Sequence, residues 1–134
     1  GSGSVVKKVV EGIHNDNVKF PNFFYQPSFS DENNVKFGKG NIVIGTHFSC
    51  AVSLGDFNMM NGSVVFGHDD VVGNYNTFMP GVRVSGEVKV GVGSIVLQQL
   101  KIGDRVKLAA GSVMMTKPKN DSLYIGNPAK IFKY

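Results

Sequence analysis

Apolar residues return along this chain with a period of six. Stepping by six from Phe48 gives Leu54, Met60, Phe66, Val72, Phe78, Val84, Val90, Val96, Ile102, Leu108 and Met114. All twelve positions are apolar in a chain that is 42% apolar, so composition alone does not produce the run. Glycine often follows the marker residue, at Gly55, Gly67, Gly73, Gly91 and Gly103. Four residues after the marker stands a second inward candidate, small or β-branched: Val52, Val64, Val82, Val88, Ser94, Val106 and Ser112.

Six is neither the 3.6 of a helix nor the 2 of a strand. It is the period of a short strand plus a corner, which predicts a single-stranded parallel β-helix over residues 17–134. Each strand buries its marker inside a prism, the glycines and adjacent polar residues are expected to turn the corners, and successive coils bond to each other about 4.8 Å apart. One hexapeptide cannot bury its face alone, so the core exists only when coils stack. A β-sandwich of short strands has no reason to hold one phase for so long.

The flanks break the period. Val5, Val6, Val9, Val10 and Ile13 form a helical stripe, predicting a helix over 5–16 with Ser4 as its cap, after a linker remnant at 1–4. Residues 18–34 are turn-rich, and Phe20, Phe23, Phe24 and Tyr25 are expected to cover the open end or pack between subunits. Phe37 and Ile44 stand seven apart, which predicts one extra, bulged residue there. After Met115 come a polar loop (116–122), a short strand (123–125) and the closing run Gly126-Asn127-Pro128-Ala129-Lys130.

The length suits one domain. A net charge of +4 is a mild basic excess, compatible with an anionic ligand. No basic helix or basic–aromatic interleaving argues for nucleic acid. The single cysteine, Cys50, excludes an internal disulfide and fits a reducing, cytoplasmic setting. No run reaches the length of a membrane span, and no signal peptide is visible.

Of three histidines, His14 and His47 read as surface or structural. His68 follows Phe66-Gly67 at a corner and precedes Asp69 and Asp70. A carboxylate beside an imidazole fixes its tautomer and raises its basicity, the arrangement of an oriented general base. On the residues alone a solvated turn is the stronger reading of this pair. A metal site on a β-helix would need three histidine ligands on neighbouring faces, which His47 and His68 do not supply.

The repeat, with Asn61, His68-Asp69, Val72-Gly73, Pro80-Gly81 and the G-N-P-A-K tail, resembles the hexapeptide-repeat acyltransferases, in the branch of nucleotide-sugar N-acetyltransferases and sialic acid O-acetyltransferases. The resemblance implies a left-handed β-helix, three hexapeptides per coil, and homotrimers with sites between subunits. It implies acetyl-CoA as co-substrate, no metal, and a nucleotide-linked amino sugar as acceptor, in bacterial surface polysaccharide synthesis. It assigns His68 as general base, Asp69 as its orienter and Asn61 to the same site. Thr77, Gly86, Val92, Ala110 and Lys130 fall to the coenzyme, with a backbone N–H near Gly86 as oxyanion donor. With eighteen residues per coil, Asn58 and Asn76 should stack as an interior amide ladder. Three departures stand out: Thr77 replaces a second histidine, Asp70 fills a slot usually small and uncharged, and one hexapeptide is missing near Val90-Gly91. The branch also begins with a nucleotide-binding domain, of which the N-terminal helix is read as a remnant. O-acetylation of another sugar, or a non-catalytic trimeric scaffold, are the alternatives.

Overall fold

The computed structural model describes residues 3–25 and 34–133, and part of the turn-rich segment, including Pro27, lies outside them. One helix, α1 (Gly3–Glu11), precedes a left-handed parallel β-helix of three faces. The first face stacks β1 (Phe23–Tyr25), β3 (Ile42–Ile44), β6 (Met59–Asn61), β9 (Thr77–Phe78), β12 (Ile95–Val96) and β15 (Val113–Met114). The second holds β4 (His47–Phe48), β7 (Val65–Phe66), β10 (Arg83–Val84) and β13 (Lys101–Ile102). The third runs from β2 (Val35–Phe37) through β5 (Val52–Leu54), β8 (Val71–Val72), β11 (Lys89–Val90) and β14 (Lys107–Leu108) to β16 (Leu123–Ile125), with β17 (Lys130–Phe132) returning antiparallel at its edge.

Every one of the twelve period-six residues is buried, and so is the second inward set. Register confirms the coil of three hexapeptides: Val65 pairs with Arg83 and Arg83 with Lys101. Along the axis the Phe48 and Phe66 rings stack at 5.2 Å, and Phe66 meets Phe78 edge-on at 5.0 Å. Phe24 lies edge-on to Phe37, which meets Phe48, so the aromatic column continues into the first coil. Phe20 packs against Phe57 at a corner, while Phe23 and Tyr25 stack on each other and remain exposed.

The corners are turned differently from expectation. The residue in the left-handed backbone region comes three after each marker from Phe48 to Leu108: Ala51, Phe57, Ser63, Asp69, Tyr75, Gly81, Glu87, Gly93, Gln99, Arg105 and Gly111, all with φ between 53° and 74°. The glycines directly after the markers serve close approach instead. A Cβ on Gly55 would stand 2.0 Å from Asn74 Oδ1, and one on Gly67 2.2 Å from the Ser85 carbonyl oxygen of the next coil.

The expected bulge is also corrected. Val43, not Ile44, is the inward residue, six after Phe37, and Phe48 follows after only five. Ile42 pairs with Met59 across 17 residues, whereas His47 pairs with Val65 across 18. The first coil therefore lacks a residue at the Gly45-Thr46 corner rather than carrying an extra one.

The amide ladder is present and longer than expected. The Asn58 side-chain oxygen accepts the Asn76 N–H at 2.9 Å, the Asn41 oxygen accepts that of Asn58, and the Asn76 oxygen accepts the Ser94 N–H at 2.7 Å. These bonds pair amides that the corner leaves without strand partners.

α1 begins at Gly3, where a Cβ would stand 1.7 Å from the Tyr75 carbonyl oxygen, so only glycine seats the helix on that corner. It ends at Glu11, short of Ile13, because Gly12 closes the last turn and Asn15 takes the Asn17 N–H at 2.9 Å into a local turn. Its valines Val5 and Val9 stay exposed.

Phe66 touches aromatic rings above and below it. Phe66→Ala should lower unfolding free energy in urea by about 3–5 kcal/mol, against less than about 0.5 kcal/mol for the outward Val71→Ala on the following face. Equal effects of the two would contradict the inward assignment.

Candidate functional site

His68 sits at the corner where the second face passes to the third. Its carbonyl accepts the Glu87 N–H at 2.8 Å, and the Asp69 N–H bonds to the Cys50 carbonyl at 3.1 Å, so coils below and above hold the corner. The side chain points outward and is about half exposed. Nδ1 and Asp69 Oδ2 are 2.9 Å apart. A carboxylate only accepts, so Nδ1 carries the proton and the neutral ring presents Nε2 as its basic atom. The hydrogen bond to Asp69 raises the His68 pKa above the ordinary imidazole value; partial desolvation opposes this, and the charges of Asp69, Asp70 and Glu87 add to it.

The ring lies over Gly86 of the next coil. A Cβ there would stand 2.5 Å from Nε2 and 2.6 Å from Cε1, so glycine is what makes room for the imidazole. The Gly86 N–H is not free as an oxyanion donor, because it donates to Asp104 Oδ1 at 3.2 Å.

Beside this corner runs an open groove of about 700 Å³, lined by Asp69, Glu87, Lys89, Arg105, Lys107, Asp121, Ser122 and Leu123. Asp69, Glu87 and Arg105 are the left-handed corner residues of three successive coils, so their side chains stack as a charged column. Arg105 closes it with a two-pronged pair to Asp121, Nη2 to Oδ2 at 3.1 Å, which raises the Arg105 pKa and lowers that of Asp121. Lys89 and Lys107 lie in register on the third face. The spacing of eighteen links 69, 87 and 105 in the sequence and would have found this column.

The other expected site residues lie elsewhere on the prism. Val92 and Ala110 stack at the corner from third face to first, joined through the Gly111 N–H to the Val92 carbonyl at 2.8 Å. Lys130 is exposed and pairs with Ile125 at that same edge. Thr77 is buried in the first face between Met59 and Ile95. Asn61 ends β6 at the corner leading into β7, whereas His68 follows β7. One chain thus joins His68, Asp69 and Gly86 but leaves Val92, Ala110 and Lys130 at the far edge of the third face. Register runs unbroken past Val90, which pairs with Val72 and Leu108.

Asp70 takes an interior slot, in line with Val52, Val88 and Val106, and is fully buried. Oδ1 accepts the Val88 N–H at 2.9 Å, while Oδ2 has no partner. Burial pushes the pKa up to about 7, against the pull of the Val88 and Gly67 amides and of His68.

No family model matches the chain. A serine acetyltransferase of Synechococcus elongatus is 30% identical over 82 residues, covering 51% of this chain and 34% of the enzyme, so the chain spans about a third of that relative. Among solved structures, a mutant perosamine N-acetyltransferase from Caulobacter crescentus, in complex with CoA and GDP-perosamine, is 24% identical with a TM-score of 0.65 over 99% of this chain and 66% of that one. The acetyltransferase domain of PglB from Neisseria gonorrhoeae, with acetyl coenzyme A, is 21% identical with a TM-score of 0.60, over 98% and 67%. A mutant of AntD, an N-acyltransferase from Bacillus cereus in complex with dTDP-4-amino-4,6-dideoxyglucose and Coenzyme A, is 14% identical with a TM-score of 0.75, over 84% and 76%. At these identities the likeness establishes the fold. Among the described residues no helix is long and apolar enough to cross a membrane.

The raised Asp70 pKa makes a signed prediction. The folded chain holds a proton that the unfolded chain releases near pH 4, so this group's contribution to stability is full below about pH 4 and is lost as pH rises through about 7. Asp70→Asn, which keeps an oxygen for Val88, should stabilise the fold at pH 8 by about 1–3 kcal/mol, and the gain should shrink by pH 5. Thermal melts across that range test it; a gain independent of pH would contradict the assignment.

Proposed function

We propose that this chain, which shares the hexapeptide repeat and the fold of the sugar N-acetyltransferases, moves the acetyl group of acetyl-CoA onto the amino group of a nucleotide-linked amino sugar, with His68 as general base. The observation that carries the reading is the His68–Asp69 pair at 2.9 Å on an outward corner, with Nε2 left basic and the ring seated on glycine. That solved structures of this fold contain CoA together with nucleotide-linked amino sugars supports the choice of substrates.

In this reading the neutral acceptor amine attacks the thioester carbonyl while His68 Nε2 takes the proton the amine sheds. The tetrahedral intermediate collapses to the amide, the C–S bond breaks, and the imidazolium returns the proton to the departing thiolate. Asp69 holds the tautomer and stabilises the imidazolium. Gly86 contributes room for the ring, and an oxyanion donor must come from another group.

The separation of the residues supports a site built by two copies. The His68 corner of one copy would face the Val92, Ala110 and Lys130 corner of another, with Asn61 and Thr77 completing it, in a cyclic trimer. The first face suits such packing: Ile42, Met59, Ile95, Val113 and Met115 leave it apolar, whereas Arg83, Lys101, Lys89 and Lys107 charge the other two.

Steady-state acetyl transfer tests the base. His68→Ala should lower kcat by about 10²–10⁴-fold. Asp69→Asn should cost less and move the acidic limb of the rate profile to lower pH, because the carboxylate that raises the His68 pKa is gone. Full activity with an unchanged profile in both variants would leave His68 a corner residue.

Coenzyme binding is tested separately by calorimetry on protein whose light-scattering mass is that of three copies. Acetyl-CoA should bind with millimolar or better affinity, weakened by Lys130→Glu. A folded trimer without a binding signal would favour a scaffold role.

A further inference from the structure

Asp70 is the least expected side chain in the prism. Its column holds valine at Val52, Val88 and Val106, and the neighbouring polar column holds neutral amides and a serine hydroxyl. A carboxyl group with one bonded oxygen and one unpartnered oxygen is the poorest occupant of such a slot for stability alone. Its position gives it another use. Asp70 belongs to the corner that carries His68, and its Oδ1 bond to the Val88 N–H ties that corner to the segment containing Gly86, on which the imidazole lies.

Resting on the reading of His68 as the base, we infer that Asp70 is a positioning residue for it: from inside the prism it fixes the seat of the imidazole and adds a negative charge that strengthens it as a base. The charged and titratable groups around His68 are Asp69 and Asp70 on its own corner, Cys50 on the corner below, Glu87 on the corner above, and Asp104 and Arg105 one coil further. Of these, Asp70 alone is fully buried, so its charge is the least screened by solvent. Asp70 gives up its proton near neutral pH, in the range where an imidazole titrates. Each ionisation of Asp70 therefore favours protonated His68, and a protonated His68 in turn favours ionised Asp70.

The test is an NMR titration of the His68 ring in the intact, unliganded protein, with His68→Ala identifying the signal among the three histidines. The native protein should titrate with a midpoint above that of Asp70→Asn. Asp70→Asn, which retains an acceptor for Val88, should give a single step with its midpoint lowered by roughly half a unit to one unit. A midpoint unchanged or raised in Asp70→Asn overturns the inference. Asp70→Val removes the acceptor as well and should also move the ring's chemical shifts at high pH, where no protonation difference remains; shifts identical to native would overturn the seating half of the claim. Should the valine variant fail to fold, the asparagine titration decides. None of these readings uses acetyl transfer, so the inference about Asp70 and the assignment of the reaction fail separately.

Discussion

The whole structure depends on a backbone constraint repeated every sixth residue: a corner that passes through the left-handed region. An L residue in that region costs on the order of 1–2 kcal/mol, yet of the eleven corner residues from Ala51 to Gly111 only Gly81, Gly93 and Gly111 are glycine. The remainder are held there by what each corner permits. It lets the marker and the residue four later both point inward, and it presents backbone N–H and carbonyl groups to the coils above and below. Corner, core and inter-coil bonding are one interaction seen from three sides, so no coil is stable by itself.

The same constraint places the chemistry. A left-handed corner residue projects from the prism edge, and Asp69, Glu87 and Arg105 stand at such positions one coil apart. His68 precedes Asp69 and is carried outward with it, over a glycine of the next coil. Inside the same corner, Asp70 sacrifices some stability to place a carboxyl group where valine would pack.

The core was legible because burial imposes a strict period, and every marker from Phe48 to Met114 obeys it. The corners were not, because glycine has two uses that look alike in a sequence. Gly55 and Gly67 are small to admit the next coil, whereas the left-handed turn falls on ordinary residues such as Phe57 and Asp69. The first coil was misphased because Ile44 and Val43 are equally apolar and only packing distinguishes them. The His68–Asp69 contact was visible as adjacency. The seat on Gly86 and the occupied Gly86 amide depend on a neighbour eighteen residues away, and so does the charged column. The placement of Val92, Ala110 and Lys130 away from His68 belongs to prism geometry, which no local motif encodes.

In the function we propose, the His68 corner and the far edge of the third face meet across copies to form one acetyl-transfer site. A crystal structure of the protein with acetyl-CoA tests it most directly. The thioester should lie within hydrogen-bond reach of His68 Nε2 of one copy, with the coenzyme running past Val92, Ala110 and Lys130 of its neighbour. A thioester bound away from His68, or a coenzyme held wholly within one copy, would contradict it.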